Sequence, residues 1–257
     1  MASFWKHVKR VIDESDILIE VLDARFIQAS RNIELEEKIN RSKKQLLYVI
    51  NKSDLVNPAL LGDVKRSLKP AVFISSKDKL GTTILKKKIL QISHGKEVTV
   101  GVVGYPNVGK SSLINALSGR GAARTSAKSG FTLGSQKIKV DNKIMILDTP
   151  GVFPYKEKEE FRLGKIGAID ADQLKDPESV ALQLLEEEKK SFQNHYQLTK
   201  NDPEEMLEEI AMKLGKLLKG GKPNLELASR ALLKDWQRGK IDLVANFEYW
   251  AKNKKKD

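Results

Sequence analysis

Cysteine is absent from the 257 residues, which excludes disulfides, thiolate catalysis and cysteine-ligated zinc together. No stretch approaches the roughly twenty apolar residues of a membrane span. The opening Met1-Ala2-Ser3-Phe4-Trp5-Lys6 lacks the apolar run of a secretion signal, so a cytoplasmic protein is expected. No repeat of solenoid length recurs. What the chain has in excess is positive charge. Its 46 Lys and Arg outnumber 34 Asp and Glu for a net charge of +12, a balance that favours polyanions, nucleic acids first among them. Hydrophobic residues make up 40%, enough for one sizeable core and a smaller satellite.

Phe4, Trp5, Val8, Val11 and Ile12 recur at helical spacing. Beyond Asp13-Glu14-Ser15-Asp16, the apolar run from Ile17 to Leu22 reads as a buried strand ending at Asp23. Similar strands are predicted over Gln45–Ile50, ending at Asn51, and Ala71–Ile74, ending at Ser75, with helices near Asn32–Asn40 and Pro58–Leu68 between them. That alternation implies a parallel sheet. A helix over Thr82–Ile92, a strand over Val98–Val103 and a hairpin of Lys137–Val140 with Lys143–Leu147 follow. From Phe161 the texture turns helical. Asp176-Pro177 and Asp202-Pro203 offer capping aspartates with proline at the first helical position. Met206, Ile210, Leu214 and Leu217 form one apolar face, and Leu225, Ala228, Leu232 and Trp236 another, capped by Asn224 and stopped by Gly239. The expected architecture is an α/β domain over residues 1–160 and a small all-α domain with a lysine-rich end over 161–257.

Functional side chains cluster at strand carboxyl ends, where open α/β sheets hold ligands. Gly104-Tyr105-Pro106-Asn107-Val108-Gly109-Lys110-Ser111, followed by Ser112, matches the G-x-x-x-x-G-K-[ST] phosphate loop between a strand and a helix. Its glycines let backbone N–H groups surround phosphates, with Lys110 supplying charge and Ser111 a magnesium ligand. Asp148-Thr149-Pro150-Gly151 fits a Walker-B-like position, Asp148 holding magnesium and the Gly151 N–H sensing a γ-phosphate. Thr132, in the loop between them, is the candidate second hydroxyl on the metal, and Thr125 competes with it. Asn51-Lys52-Ser53-Asp54 alone would serve equally as a strand-end turn. Beside a phosphate loop it reads as a base site. The Asp54 carboxylate can accept from guanine N1–H and N2–H₂, Lys52 can lay its stem over the purine, and Asn51 can brace the loop. Ser75-Ser76-Lys77 would add a backbone N–H, that of Ser76, for guanine O6.

Together these stretches resemble the TRAFAC-class GTPases with the guanine-reading half ahead of the phosphate-binding half, and so the circularly permuted GTPases of the YlqF/YawG family. Asp23-Ala24-Arg25 and the run from Leu232 to Ile241, Leu-Leu-Lys-Asp-Trp-Gln-Arg-Gly-Lys-Ile, carry the resemblance further. Two positions depart from it, Ile27 and Ser129, where the family usually has proline. The resemblance implies a P-loop GTPase domain with a mostly parallel sheet, hydrolysis of GTP to GDP, and a part in assembling the large ribosomal subunit through rRNA. Magnesium is the implied cofactor, with potassium at Asn107 a further one.

Many GTPases orient water with a glutamine after the Asp-x-x-Gly motif; here Val152 stands there, followed by Phe153, and slow turnover stimulated by a ribosomal partner is expected. Lys213, Lys216, Lys219, Lys222, Arg230, Arg238 and Lys240 are the expected phosphate contacts on RNA, and a monomer is expected. Action on the small subunit, or signalling through a protein partner, are the alternatives. Permuted small-subunit GTPases typically carry a zinc module or an added β-barrel, and the absence of cysteine together with the lack of a spare β region argues against the small-subunit alternative.

Overall fold

The structure, a computed structural model, describes residues 2–57, 62, 64, 66–119, 136–148 and 160–243. The chain divides into two compact units, residues 1–157 and 158–257. Among the described residues no helix is long and apolar enough to cross a membrane.

The first unit is a six-stranded sheet: β1 Ile17–Asp23, β2 Gln45–Asn51, β3 Ala71–Phe73, β4 Val98–Val103, β5 Gln136–Lys139 and β6 Ile144–Asp148, in the order β3-β2-β1-β4-β6-β5. All neighbours run parallel except β5, which pairs antiparallel with β6 at the edge. Every residue of β1 is buried, as expected of a central strand covered on both faces. Helices α1 Ala2–Glu14 and α3 Ile33–Arg41 supply Val8, Val11, Ile12, Leu35 and Ile39 to a core with Leu18, Val103 and Leu147. Between them lies the single-turn α2, Ile27–Ser30. Asn32 caps α3 by accepting from the Leu35 N–H at 3.0 Å. Helices α4 Thr82–Ile92 and α5 Lys110–Ser118 bury Leu85, Ile89, Leu113, Ile114 and Leu117. The strands fall within a residue of their predicted limits, because apolar runs ending at a polar residue leave little freedom of register. The helix expected over 58–68 lies partly outside the described residues.

The second unit comprises α6 Glu160–Lys165, α7 Pro177–Glu187, α8 Lys189–Tyr196, α9 Pro203–Lys213 and α10 Leu225–Gln237. The predicted caps are in place. Asp176 accepts from the Ser179 N–H, Asp202 from those of Glu204 and Glu205, and Asn224 from that of Leu227. One apolar face needs correction: Leu217 is exposed, because α9 ends at Lys213 and Gly215 turns the chain with φ +62°. The buried face is Met206, Leu207, Ile210 and Ala211. Trp236 stacks on Phe192 at 5.5 Å and donates through Nε1 to the Lys165 carbonyl at 2.9 Å. Gln237 donates to the Gly164 and Ile169 carbonyls and accepts from the Ala171 N–H. The Trp236-Gln237 pair therefore ties α10 to the 164–171 segment.

Candidate nucleotide site

The chain visits β1, β2 and β3 toward one edge of the sheet, then returns to the other side of β1 with β4. The strand order thus reverses between β1 and β4, where the carboxyl ends of an open parallel sheet leave a ligand crevice. Asp23, Asn51, the turn after β3, the Gly104 loop and Asp148 all lie at strand carboxyl ends.

The 104–109 turn wraps tightly. Gly104 has φ +138° and Gly109 φ +101°, and Asn107 also takes a left-handed φ of 60°, a conformation asparagine tolerates better than most residues. A side chain at 104 would meet the Val21 carbonyl oxygen at 2.7 Å, so the loop lies directly on β1. Lys110 opens α5, is 7% exposed and donates through Nζ to the carbonyls of Gly104 at 3.1 Å and Tyr105 at 2.7 Å. Burial lowers its pKa to about 8, with the negative charge of Asp148 opposing the shift. The lysine therefore curls over the loop's own backbone, within its own tether's reach of anything the loop encloses. Val108 is buried, Ser111 half-buried and Ser112 exposed.

Asn51 joins the two sequence halves. Its Nδ2 donates to the Val108 carbonyl at 2.9 Å, and its Oδ1 accepts from Ser76, both Oγ–H at 2.8 Å and N–H at 3.1 Å. One buried amide thus holds both the phosphate-loop sequence, 57 positions further along the chain, and the turn after β3, 25 positions on. The Ser76 N–H, assigned to a guanine oxygen from the sequence, is here given to Asn51 instead. The Ser75 hydroxyl closes its own turn by donating to Asp78 at 2.8 Å, and Lys77 is exposed. Asp54 lies on the 3-10 turn Ser53–Leu55, exposed and with no hydrogen bond or ion pair among the described residues, so its carboxylate is available to an incoming donor pair.

Gly109 is what lets Asn51 approach. A Cβ there would stand 2.2 Å from Asn51 Nδ2, on a backbone with φ +101°. Gly109→Ala is expected to displace the amide and cost about 1–3 kcal/mol of stability. Urea unfolding without ligand measures it, and an unchanged midpoint would contradict this packing.

Asp148 is 1% exposed at the end of β6, in register with Val102 of β4. With the Ser111 hydroxyl it offers the hard oxygen donors that suit magnesium beside phosphate oxygens. Among the described residues no group of three His, Cys, Asp or Glu could hold a metal ion. Thr132, its competitor Thr125, Gly151 and Val152 lie outside the described residues.

A site residue to which the sequence assigned no role is Asp23. Its buried carboxylate accepts from Arg25 and from Lys52 Nζ, the latter at 2.7 Å. No local sequence signal marks it: the parallel register that sets Asp23 beside Asn51, next to Lys52, is what brings the two together.

On the helical unit, three of the seven expected phosphate contacts are already engaged. Lys213 donates to the Tyr196 and Gln197 carbonyls and pairs with Glu209. Arg230 holds the Ala171 and Leu174 carbonyls and Glu226, and Lys240 pairs with Asp235. Lys216, Lys219, Lys222 and Arg238 make no side-chain bond among the described residues. The first three flank a glycine-rich turn closed by the Leu217–Pro223 bridge.

Residues 99–216 match the family described as 50S ribosome-binding GTPase. An uncharacterized GTP-binding protein of Methanocaldococcus jannaschii is 37% identical over 92% of this chain and 65% of its own length. The nuclear GTP-binding protein NUG1 of Saccharomyces cerevisiae is 34% identical over 93% of this chain and 55% of its own. This chain thus spans between about half and two thirds of the curated relatives it matches. The crystal structure of GNP-bound YlqF from T. maritima superposes with a TM-score of 0.67 over 95% of this chain and 99% of that one, at 23% identity, which shows a shared fold.

Proposed function

We propose that the chain is a circularly permuted, YlqF-like GTP-binding protein that binds GTP, hydrolyses it to GDP and phosphate, and switches with nucleotide state during assembly of the large ribosomal subunit. The observation that carries this reading is Asn51, which seats the guanine-reading turn and the phosphate loop side by side although their order in the chain is inverted.

In this reading Asp54 accepts the two donors on the guanine edge, Lys52 covers the purine, and Ser75, Ser76 and Lys77 line the base pocket. Asn107, Val108, Gly109, Ser111 and Ser112 surround the phosphates. Lys110 exchanges the Gly104 and Tyr105 carbonyls for phosphate oxygens, neutralising charge as it develops. Ser111 and Asp148, with Thr132, would hold magnesium, which supplies further charge neutralisation at the β- and γ-phosphates. Gly151 reports the γ-phosphate, and Asn107 would add potassium. Val152 offers no proton acceptor, so turnover is slow until a partner arrives. Lys216, Lys219, Lys222 and Arg238 are the RNA-phosphate contacts in this reading, which also makes the protein a cytoplasmic monomer. The relatives' length beyond this span leaves the whole protein's partners to the same experiments.

Calorimetry with GDP and ADP tests the base site: GDP should bind and ADP should not compete. Equal binding of both would sink the reading. Sedimentation with purified ribosomal subunits and a non-hydrolysable GTP analogue should place the protein on the large subunit; association with the small subunit or with neither would overturn that part. Turnover should be faster in potassium than in sodium, and equal rates would remove the potassium contribution.

Proton linkage gives a second check. With a pKa of about 8, Lys110 is partly neutral in the free protein near that pH, whereas phosphate beside it favours the charged form. GDP binding should therefore take up about half a proton at pH 8, and affinity should fall as pH rises from 8 toward 10. Calorimetry in buffers of different ionisation heat measures the uptake, and none at pH 8 would contradict the assignment.

A further inference from the structure

Asp23 is fully buried at the end of β1, and four donors converge on its two oxygens. Oδ1 accepts from the Arg25 N–H and from Arg25 Nε, both at 3.0 Å. Oδ2 accepts from an Arg25 terminal nitrogen at 2.8 Å and from Lys52 Nζ at 2.7 Å. The arginine is itself held in place, its side chain 3% exposed and its guanidinium 4.9 Å from the centre of the Phe26 ring. A bidentate arginine fixes the carboxylate in one orientation, and the remaining lone pair points at Lys52.

Lys52 needs such a partner for two reasons. Its backbone is left-handed, φ 60° and ψ 33°, which an L-residue with a long side chain seldom adopts unless its surroundings impose it. Its ammonium is also largely withdrawn from water, its side chain 22% exposed, and burial lowers its pKa while the Asp23 charge opposes that shift. The residues on either side of this lysine hold the remaining parts of the loop. Asn51 reaches the phosphate loop and Ser76, and Asp54 stands open two residues on.

We propose that Asp23, fixed by Arg25, is a positioning residue for guanine nucleotide binding: it anchors the Lys52 ammonium so that the lysine stem is set in place before a base arrives. The inference rests on the guanine reading given above. A lysine tethered at its far end has already lost most of its rotamer freedom, so less is lost when a purine packs on its stem. Asp23 touches no nucleotide atom in this scheme and acts through Lys52.

The full chain is titrated calorimetrically with GDP as wild type, Asp23→Asn, Lys52→Met and the double variant. Asp23→Asn should weaken GDP binding about ten-fold where Lys52 is present and less than two-fold in the Lys52→Met background, since methionine has no ammonium to anchor. A purely structural role would weaken binding equally in both backgrounds and would overturn the proposal, as would unchanged affinity of Asp23→Asn. If Asp23→Asn does not fold, the charge-balanced pair Asp23→Asn with Arg25→Gln enters the same cycle with the same expected outcomes. Absence of GDP binding by the wild type would remove the guanine reading and this inference together. Wild-type binding with no coupling between Asp23 and Lys52 would remove this inference alone.

Discussion

Asp54→Asn is expected to weaken GDP binding by roughly a hundred- to ten-thousand-fold while improving binding of xanthosine diphosphate. The carboxylate can accept from both N1–H and N2–H₂ of guanine, and two hydrogen bonds to a charged group are worth about 1.5–3 kcal/mol each. An asparagine keeps one acceptor but turns an N–H toward the guanine amino group, so one bond is lost and two donors face each other. Xanthine carries a carbonyl oxygen at that position and restores the match. Because Asp54 is exposed and bonded to nothing among the described residues, folding stability should move by less than about 0.5 kcal/mol. Calorimetry with both diphosphates, alongside thermal unfolding, separates the two effects. Unchanged GDP affinity would refute Asp54 as the base reader.

In the helical unit, Trp236→Ala should cost about 3–5 kcal/mol, the range for deleting a fully buried large aromatic. Trp236 is 1% exposed, stacks on Phe192 at 5.5 Å and gives its indole N–H to the Lys165 carbonyl. Alanine leaves a cavity between α7, α8 and α10 and a buried carbonyl without its donor, and the two penalties add to lost burial. Denaturant unfolding followed by far-UV circular dichroism measures the change; a loss below about 1 kcal/mol would mean the cavity collapses. Trp236→Phe keeps the stacking but loses the N–H, and should fall between.

The family-bearing run around Trp236 illustrates how far residue patterns reach. Its helical spacing and its cap at Asn224 could be read directly, because capping and periodicity are local. That Gln237 would bond three groups in the 164–171 segment could not, since nothing near it in sequence carries those partners. Leu217 shows the converse. It fits the apolar stripe of α9 by spacing, yet the chain has already turned at Gly215 and exposes it. The seven cations of the helical unit were equivalent as letters, and only folding paired Lys213, Arg230 and Lys240 with acids and carbonyls.

By itself the sequence determined the strands, the phosphate loop with its glycines and Lys110, and the Asn51-Lys52-Ser53-Asp54 turn, because each depends on residues adjacent in the chain. The tertiary structure alone decided that Asn51 spans the two halves, that Ser76 gives its N–H to that amide, and that Asp23 holds Lys52. Those contacts exist only because the parallel sheet sets β1, β2 and β4 with their carboxyl ends on one edge. Neighbours across a sheet are a matter of strand order, which local sequence does not encode.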